Sequence, residues 1–502
     1  KSGYVAEEPM DLNNGTTVMS PVNGTHYNTA DIGFAERLSY IYDEKYLLEL
    51  TARQDASYIF APENRWGIFP SAAIGWTISK EDFFSENVNF VDFMKLRASI
   101  GQLGSNDCSP YLWQNRYRSN APGYFYGFNN KPVAAFYTDG YVYDNLTWSH
   151  MTCYNAGFEA NLFKNKLSIE FDWFYKYTDR ILENAGGNVY APSLGKNHPS
   201  YINTGTMDDR GLELVVTHNN WLSNGFSYSL RGMFSWSRNK VLSRLVADSQ
   251  PYYGNIVIGQ PLGQLYGYHY IGLFETEEQI AAAPAPPSGY YMIGDCMYED
   301  INGDGQFDRV QDYVKVGRST LPEINYSFNV EMSWKGLSLT ALFYGVALCD
   351  YPLNGYYQST GHVDGTIYTR PFYESGNTFK YLVERMYRPV EEYEGQYGPN
   401  YTPNTNTKYP RLHGTYNSNN DYLSEILVVS GAYFRLKNLQ LSYALPDKLV
   451  RYAGLSKASV YIAGTNLFTI TEFPYMDPEN PGINNGYYPQ QKTYSLGVNL
   501  TF

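Results

Sequence analysis

The 502-residue chain has a formal net charge of −13 and no clustered basic excess, which argues against nucleic acid as a partner. Charged residues make up 17%, below the roughly 25% of typical soluble domains, while aromatics also reach 17% with 51 tyrosines. No run of about 18 apolar residues exists, so a helical membrane span is excluded; a transmembrane β-barrel stays open, because only alternate residues of its strands need be apolar.

In chain order, alternating segments come in pairs joined by short turns. The first pair, 27–42 and 46–55, turns at Asp43-Glu44-Lys45. Ile68, Pro70, Ala72, Ile74, Trp76 and Ile78 then alternate with small polar residues, followed by Met94, Leu96, Ala98 and Ile100 alternating with Lys95, Arg97, Ser99 and Gly101. Charges on that second face require it to be wet. After a Tyr/Asn/Gly/Pro-rich segment, 103–152, the clearest hairpin turns at Lys164-Asn165-Lys166; Trp173, Tyr175 and Tyr177 at its end read as part of an interfacial girdle. Further strands are predicted at 212–217, 226–237, 326–334, 337–344, 432–443 and 459–468, with a bulge near Lys437-Asn438 where the apolar phase changes. A helical turn is expected over 276–283, and 347–430 reads as the longest loop. In residues 493–502, Tyr494, Leu496, Val498, Leu500 and Phe502 share one face, and Ser495, Gly497, Asn499 and Thr501 the other.

This gives about thirteen strands, with short turns at one end and long loops at the other. The expected fold is therefore all-β, a transmembrane antiparallel up-and-down barrel with periplasmic turns, extracellular loops and residue 502 at the periplasmic edge. An odd count, in a class of barrel built from even numbers, implies strands outside this chain and places Lys1 at a break in an exposed loop. No signal peptide begins the chain, although the reading requires export, so a processed or partial chain is expected.

The most specific local motif is Asp300-Ile301-Asn302-Gly303-Asp304-Gly305-Gln306-Phe307-Asp308. Its oxygen donors Asp300, Asn302, Asp304, Gln306 and Asp308 follow the first positions of a calcium loop, with glycine at the sharp turn; Gln311 stands where an EF-hand carries its bidentate Glu. A structural Ca2+ is the expected cofactor, against a solvated Asx-rich turn as the alternative. Tyr111, Trp113, Tyr117, Tyr124 and Tyr126 form a dense aromatic loop, either a substrate-stacking surface or a self-packed loop. The seven histidines are isolated and no HExxH or GxSxG occurs, so no enzyme and no catalytic residue is expected. Four cysteines lack a CxxC pair.

On Arg37-Leu38-Ser39-Tyr40, Arg53-Gln54-Asp55-Ala56-Ser57, Arg65-Trp66-Gly67-Ile68-Phe69-Pro70-Ser71, Gly75-Trp76, the Asp300 motif, Tyr433-Phe434-Arg435-Leu436-Lys437-Asn438, Asn466-Leu467-Phe468 and the terminal strand, the chain resembles the C-terminal part of SusC/RagA-type TonB-dependent outer-membrane transporters of Bacteroidetes. Ala56 departs from the commoner Gly, and the spacing after Asp308 is unusual. The resemblance implies a barrel of about 22 strands with a plugged lumen, residues 1–502 being its C-terminal part and the plug and first strands lying elsewhere. It further implies a SusD-like surface lipoprotein as lid, the TonB complex as energy source, and a dimer of transporter–lid pairs in the outer membrane of a Gram-negative bacterium. The expected function is active import of an oligosaccharide or oligopeptide. A passive porin-like channel and a secreted β-rich glycan-binding or adhesin protein are the alternatives.

Overall fold

The computed structural model describes residues 29–115, 117–119, 136–138, 142, 145–184, 201–245, 256–286, 290–308, 310–353, 358–359, 362–363, 380–390, 402–412, 418–473, 477–480 and 490–502. A single thirteen-stranded sheet dominates them. Its strands are β1 Asp31–Tyr42, β2 Tyr46–Ser57, β3 Trp66–Trp76, β4 Val91–Ser105, β5 Ser149–Leu162, β6 Leu167–Asn184 and β7 Tyr201–Trp221. They continue with β8 Phe226–Ser243, β9 Ile324–Trp334, β10 Leu337–Ala347, β11 Tyr433–Ala444, β12 Lys457–Thr471 and β13 Thr493–Thr501. Each strand pairs antiparallel with its sequence neighbours, an up-and-down meander. Among the described residues, β1 and β13 pair on one side only.

Tight turns close one end. Asp43 and Glu44 both sit at φ 49°, and Lys335 at 48° precedes Gly336 at 86°, the left-handed pair that matches the twist of the strands it joins. A Cβ on Gly336 would also lie 3.1 Å from the Ala444 carbonyl oxygen, so this turn favours glycine twice over.

The register then builds one apolar face. Tyr42, Tyr46, Trp76, Leu96, Phe158, Phe171, Leu214, Phe234, Tyr326, Gly345, Phe434 and Ile470 are successive cross-strand partners. This row starts at the turn end of β1 and finishes at the loop end of β12. Such a steady climb is the stagger that tilts strands in a barrel. The face is solvent-accessible: Leu496 is 81% exposed, Ile74 60% and Ile462 54%. A contiguous apolar surface of that extent needs a partner, and hydrocarbon supplies one.

Aromatic rings rim the face. Tyr42, Tyr46, Trp76, Phe163, Trp334 and Tyr443 border the turns, while Phe34 stacks on Trp66 at 6.3 Å and Phe343 on Phe434 at 5.4 Å toward the loops. From Tyr326 to Trp334 the strand covers roughly 27 Å, or roughly 20 Å of height once tilted by about 40°, close to the apolar band of outer-membrane barrels.

The expected bulge is present, with register shifts at Leu342/Phe343 and Leu436/Asn438. Likewise the helical turn, Glu277–Ala282, carries a capping box from Thr276 and Gln279. Three expectations are corrected. Ile78 leaves the strand for a 3-10 turn, Ile78–Lys80. The strand expected over 212–217 runs from Tyr201 to Trp221. Parts of the segments between the long strands are ordered as short strands: among the described residues Gln264–Tyr268 pairs with Tyr313–Ser319, and Asp350–Pro352 with Val428–Ser430, around a hydrophobic core of their own.

Candidate functional site

The face opposite the apolar one is polar from strand to strand. Arg37, Thr51, Ser71 and Gly101 form one cross-strand row, and Arg97, Gly157, Asp172 and Glu213 another. Arg97 donates to Asp172 through Nε at 3.1 Å and also reaches Glu159. A concavity of about 510 Å3 opens on this side, lined by Glu49, Thr51, Arg53, Asp55 and Ser99 among others. Another of about 750 Å3 lies among Leu38, Leu50, Ala72 and Ile100 on the apolar face, with Glu36, Gln102 and Thr152 also in its lining. Charged rows spaced along a wet sheet can bind polar solute without burying it.

Above the loop ends of the strands sits a roof built from the insertions after β8, β10 and β12. Tyr268, 2% exposed, is ringed by Tyr298, Phe307, Tyr313 and Tyr422 at 4.9–5.6 Å. Leu353, Leu382, Leu427 and Phe473 complete this core. Its polar centre is Asp295, fully buried, which accepts from Arg411 at 2.7 Å, Asn420 at 3.0 Å and the Met292 amide at 2.9 Å. His269 on the same roof bonds Glu425 at 2.7 Å, and that bond holds its imidazole above the ordinary value.

Where β11 meets the roof, Arg435 is 1% exposed. Its guanidinium donates twice to Asp477 (2.8 and 2.7 Å) and once each to Glu479, Gln490 and Thr469 (2.9, 2.9 and 2.8 Å). Lys437 and the Tyr433 hydroxyl also bind Glu479, at 2.7 and 3.0 Å. Burial opposes the Glu479 charge, yet the hydrogen bonds from Lys437, Tyr433 and Gln490, together with the Arg435 charge, outweigh it and lower its pKa below 4.5. The stability it contributes is therefore complete above pH 4.5 and is lost as pH falls through the lowered folded value. Denaturation measured across acid pH should show that loss, and Glu479→Gln should flatten it.

The residues of the Asp300 motif form a tight loop closed by hydrogen bonds from its own amides to its carboxylates. Gly303 (φ 72°) and Gly305 (φ 78°) turn the loop so that their amides donate to Asp300, at 2.7 and 2.8 Å. Asp304 accepts from the Gln306 amide at 2.8 Å and Asp308 from Gln311 at 2.8 Å, while Asp312, 1% exposed, accepts from Ile301 and Asp308 at 3.1 and 2.8 Å. Among the described residues no three His, Cys, Asp or Glu side chains converge on one point. The donors are nonetheless all hard oxygens, and Phe307 between them ties the loop into the Tyr268 cluster.

The aromatic loop is brought together only in part. Tyr111 (φ 61°) packs edge-on against Tyr58 at 5.7 Å, and Trp113 is half-buried nearby in the chain. Tyr117 pairs through its backbone with Thr138; Tyr124 and Tyr126 lie outside the described residues. All four cysteines are free thiols. Neither the Arg435 cluster nor the roof was identified from sequence as a unit, although Arg435 and Lys437 stand within a stretch that carried the family resemblance.

No family model matches the chain. The TonB-dependent receptors P3 and P26 of Formosa agariphila are 26% and 28% identical over 98% and 93% of this chain, and over 47% and 46% of their own lengths. The TonB-dependent receptor SusC of Bacteroides thetaiotaomicron is 23% identical over 94% of the chain and 44% of its own length. The RagAB peptide importer in its open-open state superposes with a TM-score of 0.73 at 22% identity, covering 99% of this chain and 50% of that one. The chain thus spans about half the length of the curated relatives it matches. Along nearly its whole length the chain is similar in sequence to curated TonB-dependent receptors, SusC among them, and it shares the fold of the RagAB barrel.

Proposed function

We propose that these residues form the C-terminal part of a TonB-dependent importer in the outer membrane, the plug and remaining strands being supplied by sequence outside 1–502. The observation that carries this is the unbroken apolar row climbing across twelve of the thirteen strands, opposite a charged wet face. Substrate enters from the roof side, where a SusD-like lipoprotein acts as lid, and TonB acts on the plug; two transporter–lid pairs assemble together. The cargo is an oligopeptide or oligosaccharide. Of the two, the peptide has the added support that the RagAB neighbour is described as a peptide importer. Deleting the gene should abolish growth on the imported oligomer and leave growth on its monomer unchanged, and loss of TonB should reproduce the defect. Uptake that persists without TonB would favour a passive channel.

Asp300, Asn302, Asp304, Gln306 and Asp308 hold a structural Ca2+ in this reading, stiffening the roof through Phe307. Removing calcium with EDTA is expected to lower the melting temperature of the wild-type protein, with restoration by added calcium. Asp304→Asn should shrink that EDTA-dependent shift. A melting curve indifferent to EDTA would reject the ion.

A further inference from the structure

Above the loop-side aromatic rim, the register places three cations on the same outward face as the lipid-facing residues. Leu212 and Trp236 are cross-strand partners on that face; the next outward pair toward the roof is Arg210 and Arg238, and the next Asp208 and Lys240. Two guanidiniums set directly opposite each other repel. Arg238 has an ion pair with Glu323 at 3.4 Å. Asp208, 8% exposed, is hydrogen-bonded with Tyr175 beneath. Among the described residues neither Arg210 nor Lys240 has a carboxylate within ion-pair distance. Leu321, 49% exposed, lies just before the start of β9 and lines a concavity together with Arg238 and Glu323. Counting the carboxylates that face it, the patch keeps a net positive charge, and it sits where the aromatic rim of a barrel meets the headgroups.

We infer that Arg210, Arg238 and Lys240 form a docking site for the phosphate of a phosphorylated glycolipid of the outer leaflet. A phosphate seated between Arg210 and Arg238 accepts hydrogen bonds from both forks and cancels their repulsion, Lys240 adds a third positive charge, Tyr175 stands level with Arg210, and Trp173 and Trp236 flank the acyl region below. This rests on the placement of the roof side in the outer leaflet.

The test titrates the detergent-solubilised full-length protein with fluorescent diphosphoryl lipid A, its dephosphorylated form and phosphatidylglycerol. Each cation is expected to contribute about fivefold, so the triple variant Arg210→Gln, Arg238→Gln, Lys240→Gln should bind diphosphoryl lipid A about a hundredfold more weakly. Neutralising Lys448, Arg451 and Lys457 at the opposite rim should change nothing. Wild-type binding should also weaken with added salt, a readout that needs no variant to fold. Equal binding of the dephosphorylated form, phosphatidylglycerol binding as tight as lipid A, or salt-independent binding would overturn the inference while leaving the barrel intact. Recovery of the protein as a soluble monomer without detergent would instead refute the membrane reading beneath it.

Discussion

Val498→Arg is expected to destabilise the folded protein in a bilayer by about 2–4 kcal/mol, and Asn499→Arg by much less. The two positions are adjacent in β13 and point to opposite faces. Val498 pairs with Val460, between Ile462↔Leu496 and Ala458↔Leu500, midway between Tyr494 and Phe502. An arginine there leaves its charge in hydrocarbon, too far from either interface for its side chain to escape fully. Asn499 pairs with Ser459 on the wet face, where a guanidinium stays hydrated. Folding equilibria in phospholipid vesicles, measured by denaturant titration, separate the two. Equal losses for both variants would mean that the two faces do not meet different solvents.

Arg435→Met is the second large effect, with an expected loss of about 3–5 kcal/mol. The loss arises less from the removed pair than from the groups it abandons. Asp477 and Glu479 have side chains only 16% and 14% exposed; without the guanidinium Asp477 becomes a buried charge with no counter-ion, and Glu479 keeps only Lys437. Adding Asp477→Asn and Glu479→Gln to Arg435→Met should therefore recover much of the stability, because the neutral amides no longer require a cation. Thermal unfolding of the three proteins checks this. A triple variant no more stable than Arg435→Met would indicate that the arginine acts through packing, for instance over the Tyr433 ring at 5.5 Å.

Much of the sheet was legible because lipid on one face and water on the other impose the same two-residue period on every spanning strand. Residues 46–55, 167–178 and 493–502 each carry it cleanly, so their faces and the Lys335-Gly336 turn follow from local pattern alone. Where a strand rises past the membrane both faces are wet and the period dissolves. Asp208, Asp209 and Arg210 break the alternation, which hid the upper half of β7. The roof was hidden for another reason. Its strands pair across long stretches of chain, Gln264–Tyr268 with Tyr313–Ser319 and Asp350–Pro352 with Val428–Ser430, and strands of three to seven residues carry little readable period. Arg435 belongs to a conspicuous stretch, but its carboxylates lie in the insertion after β12, and only folding brings them together.

The central claim, that this sheet stands between lipid and water, is tested most directly by spin labels placed one at a time along β6 at residues 168 to 173, in protein with its four native cysteines replaced and reconstituted in bilayers. Labels at 169, 171 and 173 should collide with lipid-soluble oxygen, and those at 168, 170 and 172 with a water-soluble nickel chelate, in strict alternation. Uniform access of the chelate to all six positions would contradict the account.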